Sequence, residues 1–68
     1  MNLSKVDVDK IIKNGIVKIN ALGVSKGSTV IVFKGNSYYV WKDEDMLYFQ
    51  NKWFWSKKYV FAIAELAA

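Results

Sequence analysis

The chain has 68 residues, a net charge of +4 and eleven aromatic side chains, with no Cys, His or Pro. The missing Cys excludes disulfides and thiolate metal sites, and the missing His removes the commonest general base and metal ligand. A chain of this length makes one domain, residues 1–68, and buries only about 60% of the surface its unfolded form exposes.

Ser4-Lys5-Val6-Asp7 reads as a capping box with Ser4 as N-cap. Asp7 and Asp9 lie in the first turns, and Lys10 and Lys13 near the end, as a helix dipole favours. Val8, Ile11 and Ile12 share a face, and Asn14-Gly15 is a stop signal, so the pattern predicts a helix over Lys5–Lys13. From Ile16 to Leu22 the alternation of Val17, Ile19 and Ala21 with Lys18 and Asn20 favours a strand. A longer helix to Leu22 would have to pass through Gly15, at about 1 kcal/mol relative to Ala. Gly23 to Gly27 reads as a turn.

A run of short strands follows. Thr29–Lys34 is β-branched, Gly35-Asn36 is a two-residue hairpin signal, and Ser37–Lys42 returns antiparallel. Asp43-Glu44-Asp45 reads as a three-residue turn before Met46–Gln50. Asn51-Lys52 reads as a further tight turn before a strand at Trp53–Ser56. Tyr59–Leu66 suits a last strand or a helix. The expected fold class is α+β, mainly β: a short N-terminal helix, then a strongly twisted antiparallel sheet of four to five strands or a small SH3-like barrel.

Those registers assign the two faces of the sheet, because side chains alternate strictly. Val30, Val32, Tyr39, Trp41, Leu47, Phe49 and Phe54 form the expected core face. Ile31, Phe33, Tyr38, Val40, Lys42, Tyr48, Gln50, Trp53 and Trp55 form the other. A solvent face would alternate to polar residues. Either this second face is also interior, under a curled sheet or the C-terminal segment, or it is a binding platform. Tyr and Trp are enriched in interface hot spots and are also the residues on which unstacked bases sit. The candidate binding residues, for protein or nucleic acid, are Tyr38, Tyr48, Trp53 and Trp55, with Lys42, Lys52 and Lys57 beside them.

No catalytic set is legible. A triad would need a Ser–Lys variant, and Ser25-Lys26 and Ser56-Lys57-Lys58 are pairs expected by chance in a Lys-rich chain. Asp43–Asp45 lacks the spacing of a calcium loop, and Gly23-x-x-x-Gly27 lacks the Lys of a phosphate loop. No metal and no cofactor is expected. All ten basic residues are Lys, which offer a point charge in place of the bidentate fork of Arg. An AT-rich coding sequence accounts for the Lys bias without any function. Residues 1–34 carry the whole net charge, and residues 35–68 are neutral.

The expected function is a small non-enzymatic protein-interaction module, an inhibitor or assembly component of phage or mobile-element origin. Single-stranded nucleic-acid binding through Lys and Trp/Tyr stacking is the alternative, and a homo-oligomer, such as a homodimer, through the same face is a third. The absence of disulfides favours the cytoplasm. The polar N-terminus lacks the apolar region of a signal peptide. The apolar run Tyr59–Ala64 is too short to span a membrane, so no membrane partner is expected. Leu66-Ala67-Ala68 resembles the end of the bacterial tag that marks stalled nascent chains for proteolysis, which implies rapid turnover if the tail is free.

Overall fold

Ser4 opens α1, Lys5–Lys13, in a computed structural model that describes residues 2–66. The Asp7 amide donates to Ser4 Oγ at 3.2 Å, and the Ser4 amide donates to Asp7 Oδ2 at 3.1 Å. These reciprocal bonds satisfy two of the amides that a helix start leaves unpaired. Asn14 caps the other end and Gly15 follows at φ +75°, the left-handed conformation that glycine adopts without strain. Val8 and Ile11 are fully buried.

Residues 16–22 form no strand. The Ile16 amide donates back to Ile11 O, and a 3₁₀ turn over Ile19–Ala21 is closed by Ala21 N to Lys18 O and Leu22 N to Ile19 O. The alternation has a different outlet: Val17 is buried and Leu22 packs on the core, while the backbone satisfies itself in local turns rather than in a ladder.

Four strands follow: β1 Val30–Phe33, β2 Asn36–Asp43, β3 Met46–Asn51 and β4 Lys58–Ala62. They form one antiparallel sheet in the order β1-β2-β3-β4. The sheet does not close into a barrel, and β1 and β4 are its edges. The Tyr59–Leu66 segment, predicted as strand or helix, begins with β4 and then turns into a 3₁₀ helix at Ile63–Glu65. Ala67 and Ala68, and so most of the tag-like tail, lie outside the described residues.

Three details of the predicted pairing are corrected. The first turn is Lys34-Gly35, not Gly35-Asn36, and it pairs Phe33 with Asn36 and Val30 with Tyr39. Both turn residues have positive φ, 50° and 78°, which matches the twist of the flanking strands. The second turn has two residues, Glu44-Asp45, so Asp43 pairs with Met46, Trp41 with Tyr48 and Val40 with Phe49. One residue fewer in that turn reverses β2 relative to β3. Trp53–Ser56 is a loop rather than a strand, and β4 supplies the partner of β3.

The core face is therefore Ile31, Phe33, Tyr38, Val40, Leu47, Phe49, Tyr59 and Phe61, packed over Leu3, Val8, Ile11 and Val17. Of the residues expected in the core, Leu47 and Phe49 are there. Val30, Val32, Tyr39 and Trp41 lie on the outer face, and Phe54 is on the loop. Tyr38 is only 2% exposed and meets Phe49 edge to face, with ring centroids 6.3 Å apart. Among the described residues no helix is long and apolar enough to cross a membrane.

Candidate aromatic binding surface

The loop between β3 and β4 carries three consecutive large aromatics, and all three face solvent. Trp53 is 78% exposed, Phe54 59% and Trp55 79%. Apolar side chains of this size are normally the first to be covered in a small domain. Three such side chains in a row leave apolar surface that the domain itself does not cover.

Two buried polar residues brace this loop. Asn51 and Gln50 are each 4% exposed at the end of β3. Asn51 Oδ1 accepts from the amides of Trp53 and Phe54, both at 2.9 Å. Gln50 Nε2 donates to the carbonyl of Trp55 and, at 3.2 Å, to that of Lys57. The Lys57 amide donates to Phe54 O, the Asn51 amide to Lys57 O, and the Lys52 amide to Ser37 O. These bonds explain why Trp53–Ser56 is no strand: its polar backbone groups are taken up by side chains and by a local turn. They also fix the backbone whose side chains point outward.

The loop adjoins the outer face of the sheet. Trp41 and Tyr48 stack there at 5.2 Å with planes 4° apart. Trp41 is only 9% exposed, so the pair is a floor rather than a free stacking platform. Lys58 Nζ lies 5.8 Å from the Trp41 ring centre and 5.3 Å from that of Tyr48. Lys26 and Lys52 both sit 5.7 Å from the centre of Tyr39. Lys57 lies 5.4 Å from Phe54. These lysines lie over rings, where the electron-rich face attracts the ammonium. Among the described residues none of the four is ion-paired to an acid; the acids Asp7 and Asp9 bind Lys34 and Lys5 on the helix side.

Of the predicted site residues, the structure brings together Trp53, Trp55, Lys52 and Lys57 on the loop, with Tyr48 on the neighbouring face. Tyr38 is separated from them in the core. Lys42 stands on the core side near the opposite end of the β2–β3 hairpin, opposite Leu47 and half-buried. Phe54, Lys26, Lys58, Tyr39 and Trp41 also belong to the surface, although the sequence pattern placed three of them in the core. The one local cue for this loop is Asn51, a residue type whose side chain often accepts from amides two and three residues on in an Asx turn.

An apolar hollow of about 640 Å³ lies elsewhere, lined by Ile12, Val17, Lys18, Ile19, Asn20, Ala21 and Ile63. Its one ionisable lining residue is Lys18. Among the described residues no group of three or more His, Cys, Asp or Glu is placed to hold a metal ion. Comparison with protein-family models, with curated proteins and with solved structures finds no match to this chain.

Proposed function

We propose that this chain is a small non-enzymatic protein-interaction module that docks through Trp53, Phe54 and Trp55. The observation that carries this reading is the exposure of three adjacent aromatics on a loop whose backbone is held by buried Gln50 and Asn51. Trp anchors dominate interface energetics when seated in a partner's pocket. A preorganised loop loses little conformational freedom on binding, which favours affinity. Lys52, Lys57 and Lys58 form a basic rim that selects a partner with an acidic border. The non-enzymatic reading rests on the lack of His and Cys in the sequence, which removes the commonest proton-transfer groups. A compact Lys-rich module of this kind suits an inhibitor or assembly component, of phage or mobile-element origin, acting in the cytoplasm.

The test is capture by immobilised wild-type protein and by the Trp53→Ala and Trp55→Ala variants. The expected result is a partner retained by the wild type and lost by both variants, each still folded by circular dichroism. A partner retained equally by all three would overturn the assignment of the loop.

A second reading has its own observation. Lys26, Lys52, Lys57 and Lys58 lie over aromatic rings with no acid paired to them. This suits a single-stranded nucleic acid, with bases stacked on Trp53 and Trp55 and phosphates beside the ammoniums. In that case a mixed-sequence oligonucleotide quenches Trp fluorescence, and its affinity falls steeply with salt. An unchanged emission spectrum at low salt eliminates this reading and leaves the protein partner.

A further inference from the structure

The outer edge of β4 is unpartnered, and its hydrogen-bonding phase can be read from the ladder. The Asn51 amide donates to Lys57 O, and the Ile63 amide donates to Asp45 O. Those two bonds fix which residues turn toward β3: residues 57, 59, 61 and 63 do, and residues 58, 60 and 62 turn their amides and carbonyls outward. Among the described residues, no backbone bond satisfies that outward row.

Edge strands of soluble proteins are usually blunted by central charges, Pro or bulges. β4 reads Lys58-Tyr59-Val60-Phe61-Ala62, continuously paired with β3 and charged only at its first residue. Val60 at its centre is 46% exposed, and Tyr59 and Phe61 at the margin of the core are only half-buried. The edge therefore offers both main-chain groups and uncovered apolar surface.

We propose that this edge takes a second copy of the same chain, β4 against β4 antiparallel about a two-fold axis at Val60. The strand is complementary to itself in that register. Val60 faces its own copy, Lys58 faces Ala62, and Tyr59 faces Phe61 on the core side. Because residues 58, 60 and 62 all present their polar groups outward, the pairing forms about six main-chain hydrogen bonds. The two Lys58 ammoniums are kept apart by roughly 13 Å of strand, more than the Debye length of about 8 Å at physiological salt. The result is one continuous eight-stranded sheet with both outer faces on the same side and a Trp53-Phe54-Trp55 loop on each half. This is a site separate from the aromatic loop and stands whether or not that loop binds a protein.

The test uses the full chain in solution, with mass measured by light scattering over about a hundredfold dilution. The expected result is a dimer that dissociates on dilution. Val60→Pro removes only an outward amide, which an edge strand tolerates, and Val60→Lys sets two like charges face to face on the axis. Each is expected to raise the dissociation constant about tenfold or more while circular dichroism stays unchanged. Should either variant lose its fold, amide exchange on the wild type decides: the Val60 and Ala62 amides are protected in the concentrated sample and exchange freely on dilution. A monomer at every concentration overturns the proposal. So does a dimer that both folded variants leave intact, or one that Trp53→Ala and Trp55→Ala dissociate instead.

Discussion

Asn51 determines where the aromatic loop points. Its buried carbonyl oxygen accepts two amides at once, and no other side chain of the loop replaces it. Asn51→Ala leaves both amides unsatisfied or forces the loop open. The expected cost is about 1–3 kcal/mol, read as a lower urea midpoint, together with faster amide exchange at Trp53 and Phe54. Tyr38 acts at the same scale in the core. Burial pushes its phenol above the ordinary value of 10.0, with the charges of Tyr59 and Asp7 adding to the effect. A raised folded value means that the unfolded chain gives up this proton first. The associated stability is complete below pH 10.0 and is lost as pH rises through the raised folded value. Tyr38→Phe should therefore flatten the fall in stability that urea titrations record as pH rises above 10.0.

At the level of elements, α1 is read from the sequence almost completely. Ser4, Asp7 and Gly15 are local signals, and each acts within a turn of where it stands. The strands are also legible as strands, because their apolar runs are bounded by turn residues. Their faces are not. Face assignment depends on counting turn residues, and the acidic tip admits two or three. Glu44 takes φ 53° there, a conformation unfavourable for Glu and tolerated by Asn. Glu44→Asn is expected to stabilise the hairpin by about 1 kcal/mol at most, measured as a higher urea midpoint with unchanged slope. A destabilised variant would show that the Glu44 side chain contributes something the backbone geometry does not require. Residues 16–22 and 53–56 depart from the strand pattern for a shared reason. Alternation describes side chains, whereas Asn51, Gln50 and the local turns decide what the backbone amides and carbonyls do.

Across the whole molecule, the eleven aromatics divide into three groups. Phe33, Tyr38, Phe49, Tyr59 and Phe61 line the core, with Phe49 at 0% exposure meeting Tyr38 and Phe61 edge to face. Tyr39, Trp41 and Tyr48 pave the outer face under lysine ammoniums. Trp53, Phe54 and Trp55 are left over, held outward by polar residues that are themselves buried. The chain is thus legible from composition as having more aromatic surface than one small core covers. Which residues form the surplus depends on long-range register, and only the fold displays it. The consequence is that the proposed binding surface and the core are separable by mutation. The Trp53→Ala/Trp55→Ala double variant measured by urea unfolding tests that claim most directly. The account expects a folded protein whose stability lies within about 1 kcal/mol of the wild type, as for surface substitutions. A loss of several kcal/mol, of the kind that truncating buried aromatics produces, would place these side chains in the core and contradict it.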